Sequence, residues 1–599
     1  SGPLLCHPPG PPGHRRATRG RPLPRRADAP SPPASAVFLD SPSEPLPIAA
    51  RLVKLRAMRG LMMDSPLLIS SLIRHAARVY ADQTLVSRTV EGPIHRTTYG
   101  ELHERSQRLA QALLALGVRP GDRVATLAWN GYRHVETYFA VSGIGAVCHT
   151  LNPRLFFDQL QYILTHAEDV LLLVDLTFLP LAEKLAPRCP GLRGVVVMTD
   201  RAHLPEHSLP GLHVYEDLLA AQPGGYAWPS FDEHTASSLC YTSGTTGDPK
   251  GVLYTHRSTV LHSFAISLPD VFSLSERETV LPVVPMFHVN AWGLPYAAAL
   301  TGTRLVLPGA RLDGESLYRL FEDEKVTMTA GVPTVWMGLL AYLKQTGQRF
   351  TTLKRVVIGG SAAPEAMIRA FQDDYGVEVL HAWGMTETSP LGTACRLTPA
   401  MQTWPEDQQL AVQRKQGRPV FGVELRIVDD EGRELPHDGK AAGDLQVRGP
   451  WIASGYYKLE GSTAHHGGWF STGDVSTIDP LGYMQITDRS KDVIKSGGEW
   501  ISSIALENLA VGVPGVAEAA VIAAPHPKWT ERPLLLLVKA PGAEVDARAV
   551  LDHIAQHVAR WWVPDAAVFV DGLPHTATGK ISKLQLRERF KDYRLPDSE

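Results

Sequence analysis

Short apolar runs alternating with helix-length segments constrain the fold of this chain most. From Pro66 onward Leu68, Leu72, Ala76 and Tyr80 recur at the spacing of one helix face. Thr98 followed by Glu101 has the form of a capping box. The helix it opens turns Leu102, Leu109, Leu113 and Leu116 inward and stops at Gly117. Apolar runs follow at 124–127 and 146–151, with a helix through Tyr138 between them, and again at 170–174, 195–198, 305–307, 356–358 and 377–380. Such runs read as buried strands, and strands separated by helices of about ten residues or more predict parallel α/β layers. A chain of 599 residues is too long for one core, so at least two domains are expected.

Residues 449–482 are rich in Gly, Tyr and Trp and predict a small β-rich piece. The charged cluster Asp488-Arg489-Ser490-Lys491-Asp492 marks a boundary. Beyond it a smaller α+β unit is expected, with a helix from about Ser502, strands at 519–522 and 534–538, and a helix over 547–559. A polar loop, Pro574-His575-Thr576-Ala577-Thr578-Gly579-Lys580, closes it. No internal repeat is present. Residues 1–57 are different: they are rich in Pro, Gly and Arg early on and lack an apolar period, which predicts disorder. Their prolines argue against a transit peptide, so the leader reads as an extension upstream of a natural start at Met58, Met62 or Met63. The expected organisation is a leader (1–57), an N-terminal domain (58–487), a hinge (488–492) and a C-terminal domain (493–599).

Lys plus Arg number 59 against 62 Asp plus Glu, so no basic excess points to a nucleic acid. No apolar stretch has the length of a membrane span, so no integral membrane contact is expected. The five cysteines are scattered and lack metal spacing, which fits a reducing, cytoplasmic setting.

The run Tyr241-Thr242-Ser243-Gly244-Thr245-Thr246-Gly247-Asp248-Pro249-Lys250-Gly251 gathers hydroxyls, three glycines and one lysine. Such a loop can turn backbone N–H groups and hydroxyls onto one anion, with glycine admitting phosphate closely. It is not a Walker A loop, because Lys250 is followed by Gly251 rather than Ser or Thr. The bland alternative is a polar surface turn. Four further segments carry chemistry. His381-Ala382-Trp383-Gly384-Met385-Thr386-Glu387, after a strand, offers an aromatic plane, a hydroxyl and a carboxylate suited to a base, a phosphate and Mg²⁺. Ser471-Thr472-Gly473-Asp474 offers a carboxylate for two ribose hydroxyls. Arg489 to Trp500 places charge at the boundary, and Lys580 stands near the end. Taken singly, Asp474 is a turn residue, Lys491 a solvated charge and Trp383 a core side chain.

Together, in this order, these motifs resemble the adenylate-forming superfamily of acyl-CoA synthetases, peptide-synthetase adenylation domains and luciferases. The resemblance covers about Met58 to Tyr593. Pro285-Met286-Phe287-His288-Val289-Asn290-Ala291-Trp292 and Lys495-Ser496-Gly497-Gly498-Glu499-Trp500-Ile501-Ser502-Ser503 look like bacterial medium- and long-chain fatty acyl-CoA synthetases, and equally like 3-methylmercaptopropionyl-CoA ligases. Trp383, where many relatives carry Tyr, leans toward the latter. The resemblance implies a large N-terminal α/β domain of parallel-rich sheets with a β-rich subdomain, and a small mobile α+β C-terminal domain. It implies ATP-dependent formation of an acyl-adenylate and then an acyl-CoA, with ATP, CoA and a carboxylic acid as substrates and Mg²⁺ as cofactor. The expected acid is a medium- or long-chain fatty acid. The alternatives are 3-methylmercaptopropionate, an aryl acid, or loading of a carrier protein from an acyl-AMP; the non-enzyme alternative is a nucleotide-binding regulator.

By the same resemblance Thr242, Ser243, Gly244, Thr245, Thr246, Gly247 and Lys250 cover the phosphates, and Thr242 and Glu387 place Mg²⁺. Trp383 stacks on adenine beside Gly360, His381 and Ala382. Asp474 and Arg489 serve the ribose, and Thr386 the α-phosphate. Lys580 bridges carboxylate and α-phosphate, and Lys491 is the hinge. Lys495, Gly497, Gly498 and Trp500 line a CoA channel. His288, Trp292, Gly331, Gly359 and Ser361 border the acyl pocket, with packed core residues as the alternative for His288 and Trp292. A homodimer is the expected assembly. Three departures stand out: residues 461–468 form a shorter stretch than usual, Ser471 replaces a common Arg, and Ala505 stands where Asp is usual.

Overall fold

The computed structural model describes residues 60–242, 248–497, 499–576 and 580–596. The 1–57 leader, Ser243, Gly244, Thr245, Thr246, Gly247 and Gly498, and the Trp500 side chain lie outside that description. Residues 60–64 carry no regular element.

The remainder begins as the sequence predicts. Helix Ile69–Val79 buries Ile69, Leu72, Ile73 and Ala76. Helix Tyr99–Ala115 opens on Thr98, whose side chain accepts from the Glu101 N–H while the Glu101 carboxylate takes the Thr98 N–H. The N-terminal domain is built on two large sheets. One has seven strands in the order His213–Val214, Gly194–Val197, Asp169–Val174, Arg123–Leu127, Val147–Thr150, Ala236–Tyr241, Gly251–Thr255; all pairings but the last are parallel. Asp169–Val174 is buried at every position, as a strand covered on both faces must be. The second sheet has nine strands with a parallel middle: Glu378–Gly384, Arg355–Ile358, Met328–Gly331, Thr279–Pro282, Arg304–Leu307 and Thr84–Arg88. Its edges are antiparallel. Helix Tyr132–Gly143 is buried along almost its whole length, and its Tyr138 ring stacks on Tyr296 at 5.4 Å within the shared core.

Two strands correct the sequence reading. Glu378–Gly384 does not end before His381 but carries His381, Ala382, Trp383 and Gly384 within it. Buried on both faces, it tolerates the imidazole and indole because each finds a polar partner. Asp474 lies not in a turn but inside the long strand Trp469–Ile478 of a five-stranded antiparallel sheet. That sheet also contains Glu424–Val428, Ala442–Arg448 and Met484–Arg489.

The smaller C-terminal α+β domain has its own sheet and core. Hairpin Val516–His526 with Thr530–Lys539 is its spine, longer than predicted, and Ala566–Phe569 joins in parallel. Ser502 caps helix Ser503–Val511 by accepting from the Ala505 N–H. Helix Ala547–Ala555 ends four residues before the predicted 559. Among the described residues no helix is long and apolar enough to cross a membrane.

Candidate active site

Parallel register sets Gly331 and Ile358, at the carboxyl ends of their strands in the nine-stranded sheet, side by side with His381 of the next strand. Such ends are where open α/β sheets leave a crevice for ligands. Strand Ala236–Tyr241 of the other sheet leads into the phosphate-loop sequence. The two ends of that loop are tied together: Thr242 N–H donates to the Lys250 carbonyl at 2.9 Å, and Lys250 N–H to the Thr242 hydroxyl at 3.2 Å.

Glu387 is 5% exposed. Its Oε1 accepts the Tyr456 hydroxyl at 2.7 Å, and the Lys250 ammonium sits over the same Tyr456 ring at 5.0 Å. Burial raises the Glu387 pKa, while Tyr456, its own backbone N–H, Arg489 and Lys250 pull it down. Thr386 is held by the Tyr254 hydroxyl, which donates to its carbonyl at 2.6 Å. Among the described residues no group of three or more His, Cys, Asp or Glu could enclose a metal. One carboxylate and one hydroxyl, Glu387 and Thr242, instead fit Mg²⁺, which is commonly shared between one or two carboxylates, water and substrate phosphates.

Asp474 is 1% exposed. Antiparallel register sets it opposite Arg489, whose guanidinium forms an ion pair with Oδ1, Nε at 2.8 Å. The Trp383 indole N–H donates to Oδ2 at 3.0 Å. His381, buried, is pushed down to about 4 by burial, so its ring is neutral. Gly360 has φ +83°, and a Cβ there would reach the Val332 Cγ1 at 3.0 Å.

The acyl side is built differently. Val289, Asn290, Ala291 and Trp292 all take positive φ, from 44° to 56°, making a left-handed turn. Left-handed helix costs an L-residue about 1–2 kcal/mol. The turn is anchored by Asn290, which donates to Ser238 Oγ at 2.8 Å and accepts from Cys240 Sγ at 3.3 Å. It delivers the Trp292 ring against Gly359, where a Cβ would lie 3.0 Å from Cη2. Behind Gly331 the buried Trp336 fills the corresponding space. His288 precedes the turn, half-buried, and is pushed down to about 4 by loss of water, then by Lys580 and Arg154. Arg154 itself lies over the Phe287 ring at 5.8 Å.

Lys580 stands exposed in the same cleft, within the field of Arg489, Asp474, Glu387 and His288. Crowding that strips water from the ammonium is the largest influence, followed by Arg489; together they lower its pKa to about 8 against the pull of Asp474 and Glu387. With solvent still at its flank, the downward direction is what matters.

The residues expected at a hinge and a CoA channel bond within their own neighbourhood. Lys491 is exposed in a turn after Arg489. Lys495 N–H donates to Glu531 at 2.9 Å, and Gly497 N–H to the Trp529 carbonyl at 2.9 Å, both partners lying in the C-terminal hairpin. Gly497 has φ +61°, and a Cβ there would strike the Trp529 ring at 2.8 Å. Ser361 is exposed beside Gly360. Sequence reading missed Tyr456, Asn290, Arg154 and Trp529; only the aromatic richness around Gly455-Tyr456-Tyr457 offered a signal.

Comparison with known proteins identifies the family. Residues 73–457 match the family described as AMP-binding enzyme, and 505–580 the AMP-binding enzyme C-terminal domain. The chain is 53% identical over 535 residues to a 3-methylmercaptopropionyl-CoA ligase of Ruegeria lacuscaerulensis, covering 89% of this chain and 99% of that one. It is 52% identical over 541 residues to a medium-chain fatty acid–CoA ligase of Ectopseudomonas oleovorans, covering 90% and 99%. Among solved structures, the anthranilate CoA ligase AuaEII in complex with anthranoyl-AMP superposes with a TM-score of 0.79 at 27% identity, covering 88% of this chain and 98% of that one. A buried carboxylate facing an arginine, a tied phosphate loop and a lysine brought in from a second domain are thus found in a chain that belongs to the AMP-binding enzyme family, as an AMP-forming acid–thiol ligase of its acyl-CoA ligase branch.

Proposed function

We propose that this enzyme activates a short carboxylic acid of the 3-methylmercaptopropionate type with ATP and passes the acyl group to CoA. The observation that carries the short acid is the Trp292 ring seated on Gly359, held there by the left-handed turn. Trp336 packs behind Gly331 in the same way, so neither glycine opens onto free space. The 53% identity to a 3-methylmercaptopropionyl-CoA ligase supports the same reading. The expectation of a medium- or long-chain fatty acid moves behind it.

A carboxylate is a poor electrophile, because its charge repels a thiolate and oxide is a poor leaving group. In the first step a substrate carboxylate oxygen attacks the α-phosphorus, the bond to the bridging oxygen breaks, and pyrophosphate leaves. Two anions must meet, so the protein's task is positioning and charge. Lys580 lies between them as a point charge on a long stem, able to enter and withdraw. Lys250 and the loop from Thr242 hold the β- and γ-phosphates, Thr386 the α-phosphate, and Asp474 with Arg489 the ribose. Trp383, Gly360, His381 and Ala382 border adenine. Glu387 and Thr242 would hold Mg²⁺, which would supply positive charge against the phosphates. Neutral His288 borders the acyl pocket without adding charge. In the second step the CoA sulfur attacks the acyl carbon, the thiol proton goes to solvent, and AMP leaves. Rotation about Lys491 would withdraw Lys580 and bring Gly497 to the pantetheine arm, where a side chain would obstruct it.

The test is AMP formation with CoA across propionate, 3-methylmercaptopropionate, benzoate, octanoate and dodecanoate. The reading expects the highest kcat/KM with 3-methylmercaptopropionate; a maximum at dodecanoate or benzoate refutes it.

A further inference from the structure

We propose that Trp383 is a positioning residue that fixes the Asp474 carboxylate and so sets discrimination among nucleotide sugars. This rests on the reading that Asp474 receives the ribose hydroxyls. Asp474 has one partner on each oxygen before any ligand arrives: the Arg489 guanidinium forms an ion pair with Oδ1, Nε at 2.8 Å, and the Trp383 indole N–H donates to Oδ2 at 3.0 Å. Its own N–H is turned to the Thr472 hydroxyl at 3.1 Å. A carboxylate held by an ion pair on one oxygen and a hydrogen bond on the other is restrained about its Cβ–Cγ bond, and each oxygen keeps lone-pair capacity for a further hydroxyl.

The donor is as firmly placed as the acceptor. Trp383 sits mid-strand, 6% exposed, paired to Thr393. Its six-membered ring lies on Gly392 of the adjacent strand, so closely that a Cβ at 392 would come within 2.3 Å of Cζ3. The indole therefore cannot tip away without displacing the sheet. An indole presents its N–H from the side of the ring, whereas a tyrosine phenol carries its hydroxyl at the far tip. Tyrosine would keep an aromatic face while aiming its polar atom elsewhere. The Trp383–Asp474 bond thus joins the adenine platform to the sugar acceptor as one rigid unit.

The experiment compares kcat/KM for ATP and for 3′-deoxyATP in acid-dependent AMP formation. The variants are Trp383→Phe and Trp383→Tyr, with Asp474→Asn as the control on the underlying reading. A hydrogen bond to a charged group carries roughly a tenfold effect or more. Trp383→Phe and Trp383→Tyr should lower the preference for ATP over 3′-deoxyATP about tenfold, read as the ratio of the two kcat/KM values so that any loss common to both nucleotides cancels. Equal loss for both nucleotides would overturn the proposal and leave Trp383 a stacking surface only. If Asp474→Asn keeps the wild-type preference, the ribose reading itself fails, a result separable from an effect confined to Trp383. Should Trp383→Phe or Trp383→Tyr not fold, 3-benzothienylalanine at position 383 keeps the indole shape without the N–H. Preserved sugar preference in that protein would equally overturn the proposal.

Discussion

Trp383, proposed to face the nucleotide, and Trp292, proposed to face the acid, are held in opposite ways. Trp383, on the nucleotide side, lies in extended strand backbone, its N–H on Asp474 and its face on a neighbouring glycine. Trp292, on the acyl side, is half-buried on a turn whose four residues all take left-handed φ. If each residue of that turn carries the usual penalty, roughly 4–8 kcal/mol of backbone strain is concentrated there. It is offset by the burial of Val289 and Ala291 and by the bonds of Asn290. A ligand that is the same in every turnover can be met by a relaxed, hydrogen-bonded lattice. The acid, which differs among relatives, is met by a side chain whose position depends on a strained segment and a few distant contacts. Change on the acyl side should therefore alter selectivity, and change on the nucleotide side should alter catalysis for every acid alike.

The largest expected effect removes the residue both corners share. Lys580→Ala should slow acyl-adenylate formation by about 10²–10³-fold, the usual cost of losing a preorganised charge at a developing anion. The loss should be the same for short and long acids. Acyl-adenylate supplied directly should still react with CoA at nearly the wild-type rate, as read by quenched-flow thioester formation. Equal loss in both half-reactions would break the assignment of Lys580 to the first.

The pH dependence sharpens the same point. Lys580 must carry its proton to bridge two anions, and crowding lowers its pKa to about 8. First-step kcat/KM should therefore fall as pH rises through about 8, where the ammonium is lost, and hold below it. Lys580→Arg, charged at all these pH values, should flatten that limb whatever its absolute rate. A limb that persists in the arginine variant belongs to another group.

A smaller effect should follow from Asn290→Ala, which leaves the buried Ser238 hydroxyl without its donor. About 1–3 kcal/mol of stability should be lost in urea unfolding, the cost of a buried unsatisfied polar group. The ratio of kcat/KM between 3-methylmercaptopropionate and octanoate should shift while KM for ATP holds. A rise in KM for ATP with an unchanged acid ratio would erase the distinction between the two corners.

The parts of this molecule written in local pattern were legible in the sequence. Thr98 and Glu101 are three positions apart, and their capping box forms as read. The apolar runs became buried strands, and the late lysine, the charged boundary and the glycine-rich loop were visible as unusual composition. What escaped reading was set by distance along the chain. Asp474 looked like a turn residue because it follows Gly473, yet sheet register makes it a strand residue facing Arg489. The Tyr456–Glu387 bond joins residues 69 positions apart. Val289 at φ 44° contradicts the preference of a β-branched residue, and only contacts to Ser238 and Cys240, about fifty positions earlier, make it tenable. Local propensity carries no trace of such constraints.

The most direct test of the contrast between the two corners is the ratio of kcat/KM for 3-methylmercaptopropionate to that for dodecanoate, measured in the wild type and in Trp292→Ala alongside KM for ATP. If the Trp292 ring on Gly359 limits the depth of the acyl pocket, the wild type favours the short acid, and the variant shifts the ratio about tenfold or more toward dodecanoate with KM for ATP nearly unchanged. An unchanged ratio together with a stability loss of about 3–5 kcal/mol would make Trp292 an ordinary core residue and contradict the account.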